Sequence, residues 1–118
     1  MRILIAEDDD SMRGFLTLAL EKAGHRVTPC ADGLAAYKAA EDFGASVDLL
    51  LADIVMPGMD GPTVARTIRE KNPALKIIFI SGYTEDRLKD YMGPGIFFLP
   101  KPFTLKQLAE KVKEVLGA

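Results

Sequence analysis

Five short apolar runs, separated by stretches of helical periodicity, constrain the fold of this chain more than any other feature. The runs are rich in Ile, Val, Leu and Phe and lie at residues 2–6, 26–30, 47–52, 76–80 and 95–99. Parts of the third and fourth runs are continuously apolar, which is typical of parallel strands covered by helices on both faces. The alternation predicts an α/β fold with a doubly wound, five-stranded parallel sheet and five helices.

The segments between the runs carry helix start and stop signals. In the first segment apolar residues keep i, i+3, i+4 spacing from Met12, and Gly24 ends it. Pro62 suits the first position of the third helix, and Thr104 with Gln107 forms a capping box at the start of the last. We place the second helix near residues 33–43 and the fourth near residues 85–92.

Length, charge and cysteine usage narrow the class of protein. The chain has 118 residues, so we expect one domain over residues 1–118. Its formal net charge of -2 gives no electrostatic case for nucleic acid or an anionic membrane as partner. No apolar stretch approaches the roughly 20 residues that span a bilayer, so we expect a cytoplasmic location. Cys30 is the one cysteine, and we expect it to be a half-buried strand thiol.

Polar side chains follow four of the five runs, at the point where each run ends. The first is followed by four acids, the third by one acid, the fourth by a hydroxyl and the fifth by an ammonium; these residues are Glu7, Asp8, Asp9, Asp10, Asp53, Ser81 and Lys101. Ligands of open parallel sheets bind beyond the carboxyl ends of the strands. Right-handed crossovers would therefore bring these side chains to one edge of the sheet.

This combination of residues has a chemical logic. Clustered carboxylates repel one another unless a hard cation lies among them, and Mg²⁺ suits such a place because it leaves one carboxylate free to react. An Asp carboxylate can attack a phosphoryl group, and positive charge and donors such as Lys101 and Ser81 stabilise that transfer. Asp53 is therefore the candidate nucleophile, and Mg²⁺ is the expected cofactor.

Four motifs in this order resemble the receiver domain of two-component response regulators: I-A-E-D, D-I-V-M-P-x-M-D-G, F-I-S-G and L-P-K-P-F. The resemblance covers essentially all of the chain. It implies a flavodoxin-like fold with strand order 2-1-3-4-5. It also implies that Asp53 accepts a phosphoryl group from the phosphohistidine of a histidine kinase or a histidine phosphotransfer protein.

The resemblance further assigns the metal ligands. Asp8, Asp53 and the backbone carbonyl of Val55 would bind Mg²⁺. Glu7 stands where the family usually has Asp, and would act on the metal largely through water. Lys101 would pair with the phosphate, and the Lys101–Pro102 peptide bond is implied to be cis.

A switch is implied as well. Phosphorylation would draw the Ser81 hydroxyl toward the phosphate and let the ring of Phe98 turn inward, which shifts a population instead of creating a new fold. Val55 and Tyr83 are placed to shield the acyl phosphate from water. The candidate contacts with a protein partner are Tyr83, Arg87, Tyr91, Phe98, Phe103 and Lys106.

Several of these residues have a purely structural alternative. Asp9 or Asp10 is expected to cap the first helix, and Asp60 to serve the turn and helix start before Pro62. His25 is expected to be solvated in the turn before the second strand. Phe98 suits a hydrophobic core as well as a switch, and for Phe103 the core is the favoured interpretation.

The expected output is a protein–protein interaction. The first half of the chain resembles stand-alone receivers of alphaproteobacterial cell-cycle relays, and the second half resembles the terminal receiver of the hybrid histidine kinase in those relays. Because Met1 directly precedes the first run, we favour a single-domain regulator without DNA-binding output over a receiver domain cut from a kinase. The first resemblance implies a protease complex as downstream partner. We expect a monomer or a phosphorylation-dependent weak dimer.

Two further alternatives belong to other classes. An Asp nucleophile beside Mg²⁺ is also the chemistry of phosphoaspartate phosphatases. Those enzymes have the motif D-x-D at the nucleophile, whereas here Val55 lies two residues after Asp53. We therefore expect no enzyme, with at most self-phosphorylation and autodephosphorylation. A receiver without phosphorylation is the other alternative, and the set Asp8, Asp53, Ser81 and Lys101 argues against it.

Overall fold

The computed structural model describes residues 1–56, 58–82 and 89–117, and its centre is a parallel sheet of five strands. The strands lie in the order β2-β1-β3-β4-β5, as predicted, with bounds β1 Arg2–Ala6, β2 Arg26–Cys30, β3 Leu49–Asp53, β4 Lys76–Ser81 and β5 Ile96–Pro100. All four strand pairings are parallel and in continuous register. The doubly wound α/β class is therefore confirmed.

Four α-helices occur in the described residues: α1 Asp10–Lys22, α2 Gly33–Phe43, α3 Gly61–Lys71 and α4 Leu105–Leu116. Short 3-10 helices lie at Gly44–Ser46 and Lys89–Tyr91. The fourth helix predicted near residues 85–92 falls partly on residues 85–88, which are outside the described residues. Across the described ranges, no helix is long and apolar enough to cross a membrane.

Each α-helix begins at a side-chain cap that the sequence supplies. Asp9, Asp32, Asp60 and Thr104 each accept a hydrogen bond from the backbone N–H three residues later, which satisfies a donor left free at a helix start. Both bonds of the predicted capping box of α4 are present. Helix α3 begins at Gly61, so Pro62 is its second residue and not its first.

The alternation of side chains along the strands creates two cores. On β1 and β3, Leu4 and Leu50 face the layer of α2 and α3, while Ile5 and Leu51 face the layer of α1 and α4. All four side chains are fully buried. The sheet is therefore covered on both faces, as its continuous apolar runs predict.

Strand boundaries differ from the predicted ones by one or two residues. β3 begins at Leu49, and two residues before it the carbonyl of Val47 accepts a hydrogen bond from the Asn72 side chain at 3.0 Å. β4 extends to Ser81, whose register partner on β5 is Pro100. The last residues of β3 and β4, Asp53 and Ser81, are thus held in register by the neighbouring strand.

Helix α3 starts in contact with the end of β3. A Cβ atom on Gly61 would lie 2.3 Å from the backbone oxygen of Asp53, closer than real Cβ contacts allow. The N–H of Gly61 donates to the Ile54 carbonyl at 3.0 Å. Only glycine therefore fits where α3 passes the residue that carries the candidate nucleophile.

Candidate functional site

Three carboxylates meet at the carboxyl edge of the sheet. Glu7 follows β1 and Asp53 ends β3, and the preceding residues Ala6 and Ala52 are register partners. One oxygen from each of Glu7, Asp8 and Asp53 lies within 4.8 Å of the others. Glu7 and Asp53 are buried whereas Asp8 is exposed, so the cluster opens to solvent on one side. Oxygen ligands in this arrangement fit a hard divalent cation such as Mg²⁺.

Lys101 joins this cluster from the end of β5. Its Nζ lies 2.8 Å from Asp53 Oδ2 and 3.5 Å from Glu7 Oε1. The backbone N–H of Lys101 donates to the Ser81 carbonyl at 2.8 Å, and the Lys101–Pro102 bond is cis, as predicted. Lys101 therefore contacts the Asp53 carboxylate directly while its backbone is fixed to β4.

The buried charges change two pKa values. Burial, assisted by the negative charge of Asp53, raises the pKa of Glu7 to about 7, although the Asp9 N–H and Lys101 act in the opposite direction. Burial alone would lower the pKa of Lys101, but the hydrogen bond and charge of Asp53 and the charge of Glu7 raise it above its ordinary value. Lys101 is therefore a permanent cation beside Asp53.

The orientation of Asp53 is fixed by its neighbours. Its Oδ1 accepts from the backbone N–H of Val55 at 3.2 Å, and Oδ2 accepts from Lys101. The side chain of Val55 is exposed. Because each oxygen accepts one hydrogen bond and the cluster opens to solvent at Asp8, Asp53 can still present a lone pair to an incoming electrophile.

The predicted switch residues lie on the two strands beyond Asp53. Ser81 ends β4, follows the register partner of Asp53, and is buried at 2% exposure. Phe98 lies in β5 opposite Phe79 and is buried at 7% exposure in the core beneath α2 and α3. The sheet thus places Ser81 beside the carboxylate cluster and connects it through β4 and β5 to the aromatic ring.

The remaining acids have the structural roles expected of them. Asp9 caps α1 by accepting from the Met12 N–H at 2.7 Å, and Asp60 caps α3 by accepting from Thr63 at 2.9 Å. The carboxylate of Asp10 pairs with Arg13. None of the three belongs to the cluster formed by Glu7, Asp8 and Asp53 among the described residues.

Two minor predictions need correction. His25 is not simply solvated, because it is half-buried and its Nδ1 is enclosed without a hydrogen-bond partner among the described residues. It lines a cavity of about 310 Å³ between α1 and α4. Cys30 is fully buried and not half-buried, because β2 ends beneath α2, and burial raises its pKa.

The predicted partner contacts are only partly described. Tyr83 and Arg87 lie outside the described residues, as does the side chain of Tyr91. Phe103 packs against the α1–α4 core and its ring centroid lies 6.3 Å from that of Phe15, which fits the favoured core assignment. Lys106 is exposed.

Sequence reasoning missed Arg13. Its guanidinium donates to the Glu7 backbone carbonyl at 2.8 Å and also pairs with Asp10. The available signal was a basic residue in the first helical turn, three positions after an acid and directly behind the acidic loop. That pattern alone predicts the pair with Asp10 but not the bond to Glu7.

Comparisons with known proteins identify the family of the chain. The profile of the response regulator receiver domain family matches residues 3–113. The response regulator receiver protein CpdR of Brucella abortus (strain 2308) is 46% identical over 119 residues, covering 99% of this chain and 98% of CpdR. The sensor kinase CckA of the same strain is 45% identical over 116 residues, which are 97% of this chain but 12% of that kinase.

Solved structures give the same result. The receiver domain of the hybrid histidine kinase CckA has a TM-score of 0.87 at 40% identity, covering 98% of this chain and 99% of that chain. The response regulator protein TrrA of Thermotoga maritima, in complex with Mg(2+)-BeF, has a TM-score of 0.83 at 33% identity, with 98% of each chain covered. By sequence, sheet order and site geometry, the chain belongs to the response regulator receiver domain family.

Proposed function

We propose that Asp53 is the phosphoacceptor of a His-Asp phosphorelay and that its phosphorylation changes the protein surface offered to a partner. One observation carries the proposal: Lys101 Nζ lies 2.8 Å from Asp53 Oδ2 beside the Glu7 and Asp8 carboxylates. A carboxylate held by a cation among other carboxylates is suited to receive a phosphoryl group, because the cation offsets the negative charge that arrives with it.

The transfer is a substitution at phosphorus. An Asp53 oxygen forms the new P–O bond, the P–N bond to the donor histidine breaks, and the leaving imidazole takes up a proton from water. Lys101 stays beside the phosphoryl oxygens and offsets their negative charge. Mg²⁺, held by Asp8, Asp53, the Val55 carbonyl and Glu7 through water, would neutralise further charge when bound.

The response to phosphorylation involves Ser81 and Phe98. The phosphoryl group adds acceptor oxygens next to the end of β4. A hydrogen bond from the Ser81 hydroxyl to one of them would favour the arrangement of β4 and β5 in which Phe98 is enclosed, as it already is in this structure. The change is a shift between two populated states, and its extent depends on how differently they bind the phosphate.

The two relatives suggest two candidate downstream partners. CpdR is matched over almost its whole length, so we favour a single-domain regulator that acts on another protein, with a protease complex as the first candidate. The similarity to the CckA receiver gives the second candidate, exchange of phosphate with a histidine phosphotransfer protein. We place both activities in the cytoplasm. The two candidates can be distinguished by measuring the binding of each partner to the phosphorylated and the unphosphorylated protein.

Amide NMR with Mg²⁺, before and after addition of beryllofluoride, tests the phosphoacceptor role. We expect shifts centred on Asp8, Asp53, Ser81 and Lys101 that extend to Phe98. Asp53→Asn should lose the beryllofluoride response. Asp60→Asn is the matched control, because Asn also caps helices, and it should respond like the wild type.

Stoichiometry separates this function from a phosphatase. With acetyl phosphate and Mg²⁺, a receiver incorporates one phosphoryl group per chain at Asp53. Sustained release of many equivalents of phosphate per chain and per minute would contradict the proposal and favour the hydrolytic enzyme. Absence of both incorporation and a beryllofluoride response would favour a receiver that only binds partners.

A further inference from the structure

We infer that Arg13 is a positioning residue for the metal-binding loop: its guanidinium holds the Glu7 backbone so that the carboxylates of Glu7 and Asp8 face Asp53. The inference rests on the proposed Mg²⁺-dependent function. Arg13 contacts neither the Asp53 carboxylate nor Lys101 among the described hydrogen bonds, and Nη1 lies 2.8 Å from the Glu7 carbonyl oxygen. Its action would therefore pass through the main chain.

The position of the Glu7 carbonyl explains why the long basic side chain of Arg13 can bond to it. Its N–H continues the sheet by donating to the Cys30 carbonyl at 3.0 Å, but the chain then leaves β1 toward α1. The Glu7 carbonyl therefore points away from the neighbouring strands and accepts its bond from Arg13 instead. A buried carbonyl left without a donor costs roughly 1–3 kcal/mol, so this bond favours one geometry of the turn.

The same turn is fixed from its other side. The Asp9 N–H donates to Glu7 Oε2 at 3.1 Å, and the Asp9 side chain caps α1. The Arg13 N–H donates in turn to the Asp9 carbonyl at 2.9 Å. Arg13 thus joins the first turn of α1 to both ends of the loop that carries Asp8.

The positive charge of Arg13 and its positioning of the loop have opposite expected effects on Mg²⁺ affinity, so the inference can be tested. A cation beside the carboxylates repels Mg²⁺, so a purely electrostatic role predicts that its removal would tighten Mg²⁺ binding. A positioning role predicts weaker binding, because the ligand oxygens lose their alignment. Groups that orient metal ligands typically contribute about 10- to 100-fold to metal affinity.

Mg²⁺ titration of wild type, Arg13→Gln and Arg13→Lys by calorimetry and amide NMR tests the inference. We expect about tenfold weaker Mg²⁺ binding for Arg13→Gln, with Asp8 and Asp9 amide shifts already changed in metal-free protein. Arg13→Lys keeps the charge and one donor, and should recover most of the affinity. Arg13→Met, which has no donor, serves as a second variant if the glutamine protein does not fold.

Two controls isolate the bond to Glu7. Asp10→Ala removes the side chain that accepts from the other guanidinium nitrogen and should leave Mg²⁺ affinity close to that of the wild type. Arg26→Gln removes the same charge from the opposite end of the sheet, where β2 begins, and should also have no effect.

Equal or tighter Mg²⁺ binding by a folded Arg13→Gln or Arg13→Met protein would overturn the inference. If the wild type itself fails to bind Mg²⁺, the proposed function fails instead. The two failures are therefore distinguishable in one titration series.

Discussion

Glu7 combines a buried carboxylate with a position next to the candidate phosphoacceptor. Only 1% of its surface is exposed, and burial raises its pKa from 4.5 to about 7. The folded protein therefore retains a proton that the unfolded chain releases at lower pH. Near neutral pH this carboxyl group exists in both protonation states, and its charge depends on what binds beside it.

The free energy of unfolding should decrease with pH because of Glu7. With a raised folded pKa, its contribution is complete below pH 4.5 and is lost as pH rises through about 7, by at most about 3 kcal/mol. Urea unfolding of wild type and Glu7→Gln between pH 4 and 8, without Mg²⁺, measures this difference. Parallel pH profiles for the two proteins would show that the Glu7 pKa is not raised.

His25 should contribute with the opposite sign. Burial and the N-terminal ammonium lower its pKa, so its contribution to stability is present above pH 6.5 and is lost as pH falls through the lower folded pKa. His25→Phe removes the unpartnered Nδ1 next to a cavity that can accept the larger ring. We expect an increase of about 1 kcal/mol in the free energy of unfolding, larger at pH 5 than at pH 8. A loss of stability at pH 5 would contradict this.

At the scale of elements, the site depends on how closely α3 approaches the end of β3. Gly61 has no room for a Cβ beside the Asp53 carbonyl, whereas Gly14, inside α1, has no heavy atom within 4 Å of the corresponding position. The same substitution therefore has opposite expected effects at the two glycines. The substitution at Gly14 measures helix propensity, and the substitution at Gly61 measures the contact with Asp53.

Gly61→Ala should lower the free energy of unfolding by about 1–3 kcal/mol, because backbone has to move. Gly14→Ala should raise it by about 0.5–1 kcal/mol, since alanine favours the helix interior. Chemical denaturation of both proteins measures these values. The Asp53 amide resonance should move only in Gly61→Ala, and an unchanged Asp53 together with unchanged stability would show that the contact is relaxed.

The elements were predictable to the extent that local patterns determine them. Five short apolar runs, two of them partly continuous, predicted the parallel strands, and Asp60, Thr104 and either Asp9 or Asp10 were expected at helix starts. The hydrogen bond from the Asn72 side chain to the Val47 carbonyl was not predictable, because the two residues are 25 positions apart. The contact of Arg13 with Glu7, the burial of Cys30 and the enclosed Nδ1 of His25 likewise depend on tertiary neighbours that spacing does not encode.

At the scale of the whole molecule, one sheet belongs to two cores. Neighbouring residues of β3 support different layers: Leu50 faces α2 and α3, and Leu51 faces α1 and α4. Neither layer can lose its packing without exposing the same strands. The two layers should therefore unfold together.

Leu50→Ala and Leu51→Ala should each lower the free energy of unfolding by about 2–5 kcal/mol, since each leaves a buried cavity. Both should keep a single transition that is identical by far-UV circular dichroism and by tyrosine fluorescence. Leu18→Ala, at a position that is 64% exposed, is the control and should change stability by less than about 0.5 kcal/mol. Two separate transitions in either variant would mean that the layers unfold independently.

Among the described residues, the hydrogen bond from the Lys101 N–H to the Ser81 carbonyl is the last one in chain order between the fourth and fifth strands. It lies beside the carboxylates, so the hydrogen on this nitrogen can be replaced by deuterium only when that edge of the sheet separates. The exchange rate of the Lys101 amide therefore reports how often this edge of the site opens. It can be measured without any label on Asp53 or its neighbours. Slower exchange in the presence of beryllofluoride would show that occupancy of the phosphorylation site stabilises the pairing of β4 with β5 at this edge.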